Sequence, residues 1–206
     1  MAAGLFVTFE GVEGAGKSTQ VRLLRESLSR SGIAHVFTRE PGGTPLGERM
    51  RELLIDPAQT MTAEAEVLLF NACRAELVDK IIAPALLERK LVVSDRFWDA
   101  TLAYQGYGRG LPLSTLLTVS MFAARRLTPD ITVLLDIPQT VSQSRLGGRA
   151  PDRLEAEDSR FHERVAHGYR DLAAKDPDRF VVLDGSRPPE ELAAVILEAV
   201  KGRWHA

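Results

Sequence analysis

At 206 residues with 45% hydrophobic content, the chain has enough material for one large domain around a sizeable core. A formal net charge of −2 and a pI near 6.1 exclude a polyanion-coating surface, so nucleic acid is not an expected partner. Cys73 alone excludes an intramolecular disulfide framework, no apolar stretch reaches the ~18 residues of a membrane span, and residues 1–20 lack a signal peptide's charged-then-apolar layout, so a cytoplasmic protein without membrane contact is expected.

Along the chain, β-branched and apolar runs recur at 5–9, 33–37, 91–94, 131–136 and 180–183, separated by helical patterns. That alternation predicts an α/β fold with a five-stranded parallel sheet and helices on both faces, in a single domain spanning 1–206. The first helix should open around Lys17, turn Val21, Leu23, Leu24 and Leu28 inward, and stop at Gly32. A long helical pattern over 62–89 contains Pro84, which should kink or break it. Segments 114–126 and 189–201 read as amphipathic helices, while the glycine-, proline- and charge-rich stretches 40–47, 106–112 and 147–152 read as loops or lids.

Gly11-Val12-Glu13-Gly14-Ala15-Gly16-Lys17-Ser18 matches G-x-x-x-x-G-K-[ST], follows an apolar strand and opens a helix. Such a P-loop turns successive backbone N–H groups and a helix N-terminus toward an anion, and Lys17 adds a point charge. The Ser18 hydroxyl suits a Mg²⁺ that bridges nucleotide phosphates, so ATP and Mg²⁺ are the expected co-substrate and cofactor. No guanine-reading N-K-x-D occurs, which argues against a GTPase switch.

A second signal lies at 92–97, where a strand ends in Asp95 and Arg96, at the carboxyl edge where open α/β sheets place ligands. Asp95 could hold Mg²⁺ through water, and the forked guanidinium of Arg96 could bridge donor and acceptor phosphates. An ordinary ion pair between neighbours at a strand end is the alternative.

The continuation Asp95-Arg96-Phe97-Trp98-Asp99-Ala100-Thr101-Leu102-Ala103-Tyr104-Gln105-Gly106 resembles the D-R-[FYH]-x-x-S-x-x-A-Y-Q-G signature of thymidylate kinases. Residues 6–19, Thr38-Arg39-Glu40-Pro41-Gly42-Gly43-Thr44, and Phe70 with Arg74 resemble the same family, so the likeness runs through almost the whole chain. Ala100 departs from it, with Thr101 as the neighbouring hydroxyl.

The resemblance implies transfer of the γ-phosphate of ATP to dTMP, giving dTDP and ADP. It further implies that Phe70 stacks on thymine and that Arg74 meets a polar edge or phosphate of the nucleotide. Arg39 would hold the acceptor phosphate, Thr101 would offer a hydroxyl near base or sugar, and Tyr104 and Gln105 would line the deoxyribose. Glu13, Arg96 and Thr19 complete the nucleotide-binding set. Glu13 is unexpected in an anion-binding loop; the family places it near the acceptor's 3′-hydroxyl and the metal waters. The family is usually a homodimer.

Arg145, Arg149 and Arg153 cluster in a segment at about 145–155 between two helical stretches, which reads as a lid. Gly14 stands where one branch of the family carries a P-loop arginine, so this chain resembles the bacterial branch that supplies the charge from the lid. Arg149 and Arg153 are candidates for the γ-phosphate, and Arg145 for stacking on adenine. Another monophosphate or a deoxynucleoside is the alternative acceptor. A nucleotide-binding protein without turnover is disfavoured by the intact Lys17, Ser18, Asp95 and Arg96. Cys73, His162 and His167 have no metal-like spacing; the cysteine is expected in helix packing and the histidines toward solvent.

Overall fold

The computed structural model describes residues 4–147 and 150–204. Five strands, β1 (Leu5–Glu10), β2 (His35–Arg39), β3 (Leu91–Asp95), β4 (Ile131–Asp136) and β5 (Phe180–Asp184), form one parallel sheet in the order β2-β3-β1-β4-β5. All five fall on or beside the apolar runs read from the sequence; the inner strands β3, β1 and β4 are covered on both faces and need apolar side chains in both directions, while the edge strands β2 and β5 are only partly covered. In β1, Leu5, Val7 and Phe9 enter a core with Leu24, Leu28 and Ile196, while Phe6 enters a second core with Leu77, Ile82 and Phe97. The polar exceptions in that strand are Thr8, paired with Thr132 at 3.0 Å, and Glu10 at its carboxyl end.

Helix α1 (Lys17–Arg30) starts directly from the P-loop. Its N-cap, Gly16, has φ +96° and supplies no side-chain cap, so the first N–H groups stay open to a ligand. Leu24 and Leu28 are buried and Val21 and Leu23 half-buried, and the chain leaves the helix through Gly32 at φ +66°.

Three loop or break expectations are corrected. The stretch 40–47 is not wholly loop: α2 (Pro45–Ile55) begins inside it, with Pro45 in the first turn and the Thr44 hydroxyl accepting from the Gly47 N–H at 3.0 Å. Pro84 does not break its helix. Helix α3 (Ala63–Leu77) widens into a π-helical stretch at Val78–Ile82 and continues as α4 (Ala83–Leu87), which places the proline in a first turn where its missing N–H is tolerated. The sequence Gly106–Gly108 likewise belongs to a π-helical stretch, Leu102–Gly108, that extends the short α5 (Trp98–Thr101). Helices α6 (Leu113–Ala123), α7 (Gln139–Leu146), α8 (Ser159–Lys175) and α9 (Pro189–Trp204) follow. Cys73 is buried in α3, where burial raises its thiol to about 11. His167 is exposed, but His162 is half-buried, edge-on to Phe161.

Candidate active site

Strand β1 is the point at which the sheet's connections change direction, and the P-loop leaves it there. A cleft of about 790 Å³ opens over that edge. Residues Glu13 to Thr19 form one end, Asp95 and Arg96 the floor, and Phe70, Arg74, Thr101, Tyr104 and Gln105 the other end. Gly11 and Val12 are buried and do not line it. Gly11 has φ +136°, and a side chain there would meet the Leu135 carbonyl at 2.5 Å. The Lys17 ammonium folds onto the loop, donating to the Gly11 and Val12 carbonyls at 2.9 Å each. Burial first, and then the Arg96 charge, lower its pKa to about 8 despite nearby Asp95 and Glu13.

Arg96 projects from a backbone at φ +72°, pinned by its N–H to the Phe9 carbonyl at 2.9 Å and by the Ser94 hydroxyl on its carbonyl at 2.7 Å. Its Nη2 donates to Glu13 at 2.6 Å and to the Tyr104 hydroxyl at 3.1 Å, and its Nη1 to the Tyr169 hydroxyl at 2.9 Å. Tyr104 in turn donates to the second Glu13 oxygen at 2.6 Å. The guanidinium also lies 4.9 Å from the Tyr104 ring centre. Burial pushes the Glu13 carboxyl upward, but Arg96, Lys17 and the Tyr104 hydroxyl outweigh it and hold it below the usual range. Glu13 therefore compensates Arg96 within the anion-binding end. Three of the five guanidinium N–H groups are engaged, and Nε–H and one Nη1–H have no hydrogen bond among the described residues.

At the other end of the cleft Arg74 behaves differently. It is 1% exposed and donates to Glu40 at 2.7 and 3.0 Å, Asn71 at 2.8 Å, Thr101 at 3.0 Å, the Phe97 carbonyl at 3.2 Å and Ser120 at 3.5 Å. Phe70, four residues earlier on α3, lines the cleft half-buried with its ring available for stacking. Gln105 donates to the buried Glu66 at 2.7 Å, and the exposed Arg39 to Glu48 at 3.0 Å. Arg51 and Arg187 also line the cleft and were missed from sequence. The signal for Arg51 was present in the capped α2; Arg187 follows β5, and only the fold brings it beside the P-loop.

Around the lid, Arg145 on α7 donates to the Gly14 and Gly185 carbonyls at 3.0 and 3.1 Å, and Ser142 to the Glu13 carbonyl at 2.7 Å, so α7 braces the P-loop from outside. Arg149 lies outside the described residues. Arg153 does not line the cleft: it pairs with Glu66, which Arg109 also grips at 2.7 and 2.8 Å, and it donates to the Leu54 carbonyl at 2.9 Å. The Arg153 side chain, expected at the γ-phosphate, here meets a buried carboxylate whose desolvation is offset by two arginines and Gln105.

The fit to Mg²⁺ is judged from donors. Asp95 Oδ1 is buried without a hydrogen-bond partner, and Ser18 is exposed at the first turn of α1. Among the described residues no cluster of three His, Cys, Asp or Glu could hold a metal alone. A hydroxyl and one carboxylate nevertheless suit Mg²⁺, which keeps several waters and takes its remaining oxygens from phosphates.

A family model described as thymidylate kinase matches residues 9–196. The thymidylate kinase of Deinococcus radiodurans is 48% identical over 206 residues, covering 100% of both chains. That of Carboxydothermus hydrogenoformans is 49% identical over 190 residues, covering 92% of this chain and 93% of the relative. A crystal structure of thymidylate kinase from Ehrlichia chaffeensis superposes with a TM-score of 0.80 at 36% identity, covering 97% of this chain and 99% of the other.

Proposed function

The chain belongs to the thymidylate kinase family, and from that premise we propose which of its residues carry the reaction. The reaction is that of a thymidylate kinase: the γ-phosphate of ATP passes to dTMP, giving dTDP and ADP. An oxygen of the dTMP phosphate bonds to the γ-phosphorus while the bond from that phosphorus to the β-bridging oxygen breaks. The acceptor has a second pKa of about 6 and is already a dianion at neutral pH, so no general base is required. What remains is to bring two polyanions together and neutralise the charge between them.

The observation that carries the assignment is Arg96, with two donors still available between the P-loop and the acceptor end of one cleft. Arg96 bridges the two phosphates, and Lys17 leaves its loop carbonyls to meet the transferring group. Backbone N–H groups from Gly14 to Thr19 cradle the donor phosphates. Ser18, and Asp95 through water, would hold Mg²⁺, which would supply positive charge against the crowded nucleotide phosphates. Phe70 stacks on thymine, Thr101 and the wall that Arg74 holds face its polar edge, and Tyr104 and Gln105 line the sugar. Arg39 reaches the acceptor phosphate after giving up Glu48. Glu13 holds Arg96 and faces the acceptor's 3′-hydroxyl. Residues 1–206 act as one kinase domain with a lid at about 145–155, where Arg149 supplies the γ-phosphate charge, Arg145 the adenine platform and Arg153 the anchor on Glu66.

A cytoplasmic homodimer completes the proposal. No helix among the described residues is long and apolar enough to cross a membrane. Leu68 on α3 and Phe122 on α6 are 60% and 87% exposed, as surfaces covered by a second subunit are before assembly. The test is ADP release with Mg²⁺ and ATP across the monophosphates of thymidine, deoxyuridine, deoxycytidine, deoxyadenosine and guanosine. dTMP should give the highest kcat/KM; another acceptor preferred by about tenfold, or ~1.4 kcal/mol in the transition state, would overturn the residue assignments at the acceptor end.

A further inference from the structure

We infer that Tyr169 is a positioning residue for Arg96, its hydroxyl holding the guanidinium from behind in the orientation that meets both phosphates. The inference rests on the reading of Arg96 as the phosphate-bridging group. Tyr169 comes from α8, 73 residues away in sequence, is 1% exposed and does not line the cleft. Its hydroxyl donates to Glu10 Oε2 at 2.8 Å. A phenol has one proton, so with that proton committed to Glu10 the oxygen is left as an acceptor, and Arg96 Nη1 fills it at 2.9 Å. The other Glu10 oxygen accepts from the Phe97 N–H at 2.8 Å, immediately after Arg96. Glu10 therefore ties the brace to the same stretch of backbone that aims the arginine.

The two sides of the guanidinium differ in kind. Glu13 and Tyr104 hold Nη2 and line the cleft, where substrates arrive. Tyr169 and Glu10 hold Nη1 from the core side, so their contact is independent of what enters. The brace is rigid because α8 lies against the π-helical stretch: a side chain at Gly168 would come within 2.6 Å of the Tyr107 ring, so glycine permits the close approach just before Tyr169. Tyr169 also packs edge-on to Tyr104 at 6.2 Å between ring centres. An arginine otherwise loses rotamer freedom each time it is brought into register, and a permanent acceptor on Nη1 makes that loss part of folding instead of catalysis.

The test is a double-substitution cycle with Tyr169→Phe, which removes one oxygen and keeps the ring, and Arg96→Lys. Values of kcat and the dTMP KM are taken per folded molecule, with folding followed by thermal melting. Tyr169→Phe should lower kcat by about tenfold to a hundredfold, the worth of a hydrogen bond to a charged group, and shift KM by less than about threefold. The double variant should be no slower than Arg96→Lys, because an absent fork cannot be mispositioned. Glu10→Gln, which weakens the anchor without touching Arg96, should lower kcat in the same direction and supplies the test if Tyr169→Phe melts early. If Arg96→Lys is impaired while Tyr169→Phe and Glu10→Gln turn over within about twofold of the parent, the inference alone fails. Additive losses in the double variant overturn it too. Parental turnover by Arg96→Lys would sink the bridging reading and the inference with it.

Discussion

Two buried arginines face the same cleft from different sides. Arg74 at the acceptor end is 1% exposed and has all its N–H groups directed at protein acceptors on four segments. Arg96 on the floor is 16% exposed, sits on a left-handed backbone and retains two N–H groups for a ligand. Burial and charge are shared; the difference is saturation. A guanidinium whose fork is filled by the fold chiefly holds walls together, whereas one braced on two sides and left open on a third is available to do work on a substrate. Arg153 falls between the two: Glu66 and the Leu54 carbonyl hold it, yet its Nη2 is buried without a hydrogen-bond partner.

The comparison is broken most forcefully at Glu40, the carboxylate partner of Arg74. Glu40→Ala leaves a buried guanidinium without its counter-ion and should cost about 3–5 kcal/mol of stability in urea unfolding, while kcat of the folded enzyme stays near the parent. A stable Glu40→Ala with lost turnover would make Arg74 a working residue and erase the contrast. Next in size is Phe70→Ala. Base stacking contributes about 1–3 kcal/mol, so the dTMP KM should rise roughly tenfold to a hundredfold with little change in the ATP KM. Equal rises in both would place Phe70 in the frame of the cleft instead of on the base.

The smallest effect sharpens the phosphate side. Burial and Arg96 depress Lys17 to about 8, so above that pH the free enzyme increasingly carries it neutral. Phosphate favours the charged form, and ATP binding at about pH 8.5 should therefore take up protons, less than one per site, as titration calorimetry in buffers of different ionisation enthalpy would reveal. The uptake should shrink toward neutral pH, where Lys17 is already protonated, and proton release at the higher pH would contradict the assignment.

Much of this was legible in the sequence, for a physical reason. The three inner strands are buried on both faces and the two edge strands are still rich in apolar residues, so all five announce themselves as apolar runs, and the P-loop and the stretch 95–106 are contiguous, so their spacing carries their chemistry. What escaped was long-range or conditional. Glu10 lies next to the P-loop, yet its role depends on Tyr169, 159 residues away. The direction of the Arg153 side chain depends on Glu66, 87 residues away, and composition gives no direction to an arginine. At Pro84 the helical pattern hid a π-helical stretch that interrupts the α-helix and lets the chain continue, and the glycines before Thr44 make the start of α2 read as loop.

The contrast between the two arginines is tested most directly by placing lysine at each position and measuring kcat at saturating ATP and dTMP against the urea midpoint. Arg96→Lys should keep the parental midpoint and lose kcat by about 10³-fold or more, because a compact ammonium cannot bridge two phosphates. Arg74→Lys should lower the midpoint and leave kcat of the folded enzyme within about tenfold of the parent. An Arg96→Lys enzyme that melts early yet turns over at the parental rate would contradict the account.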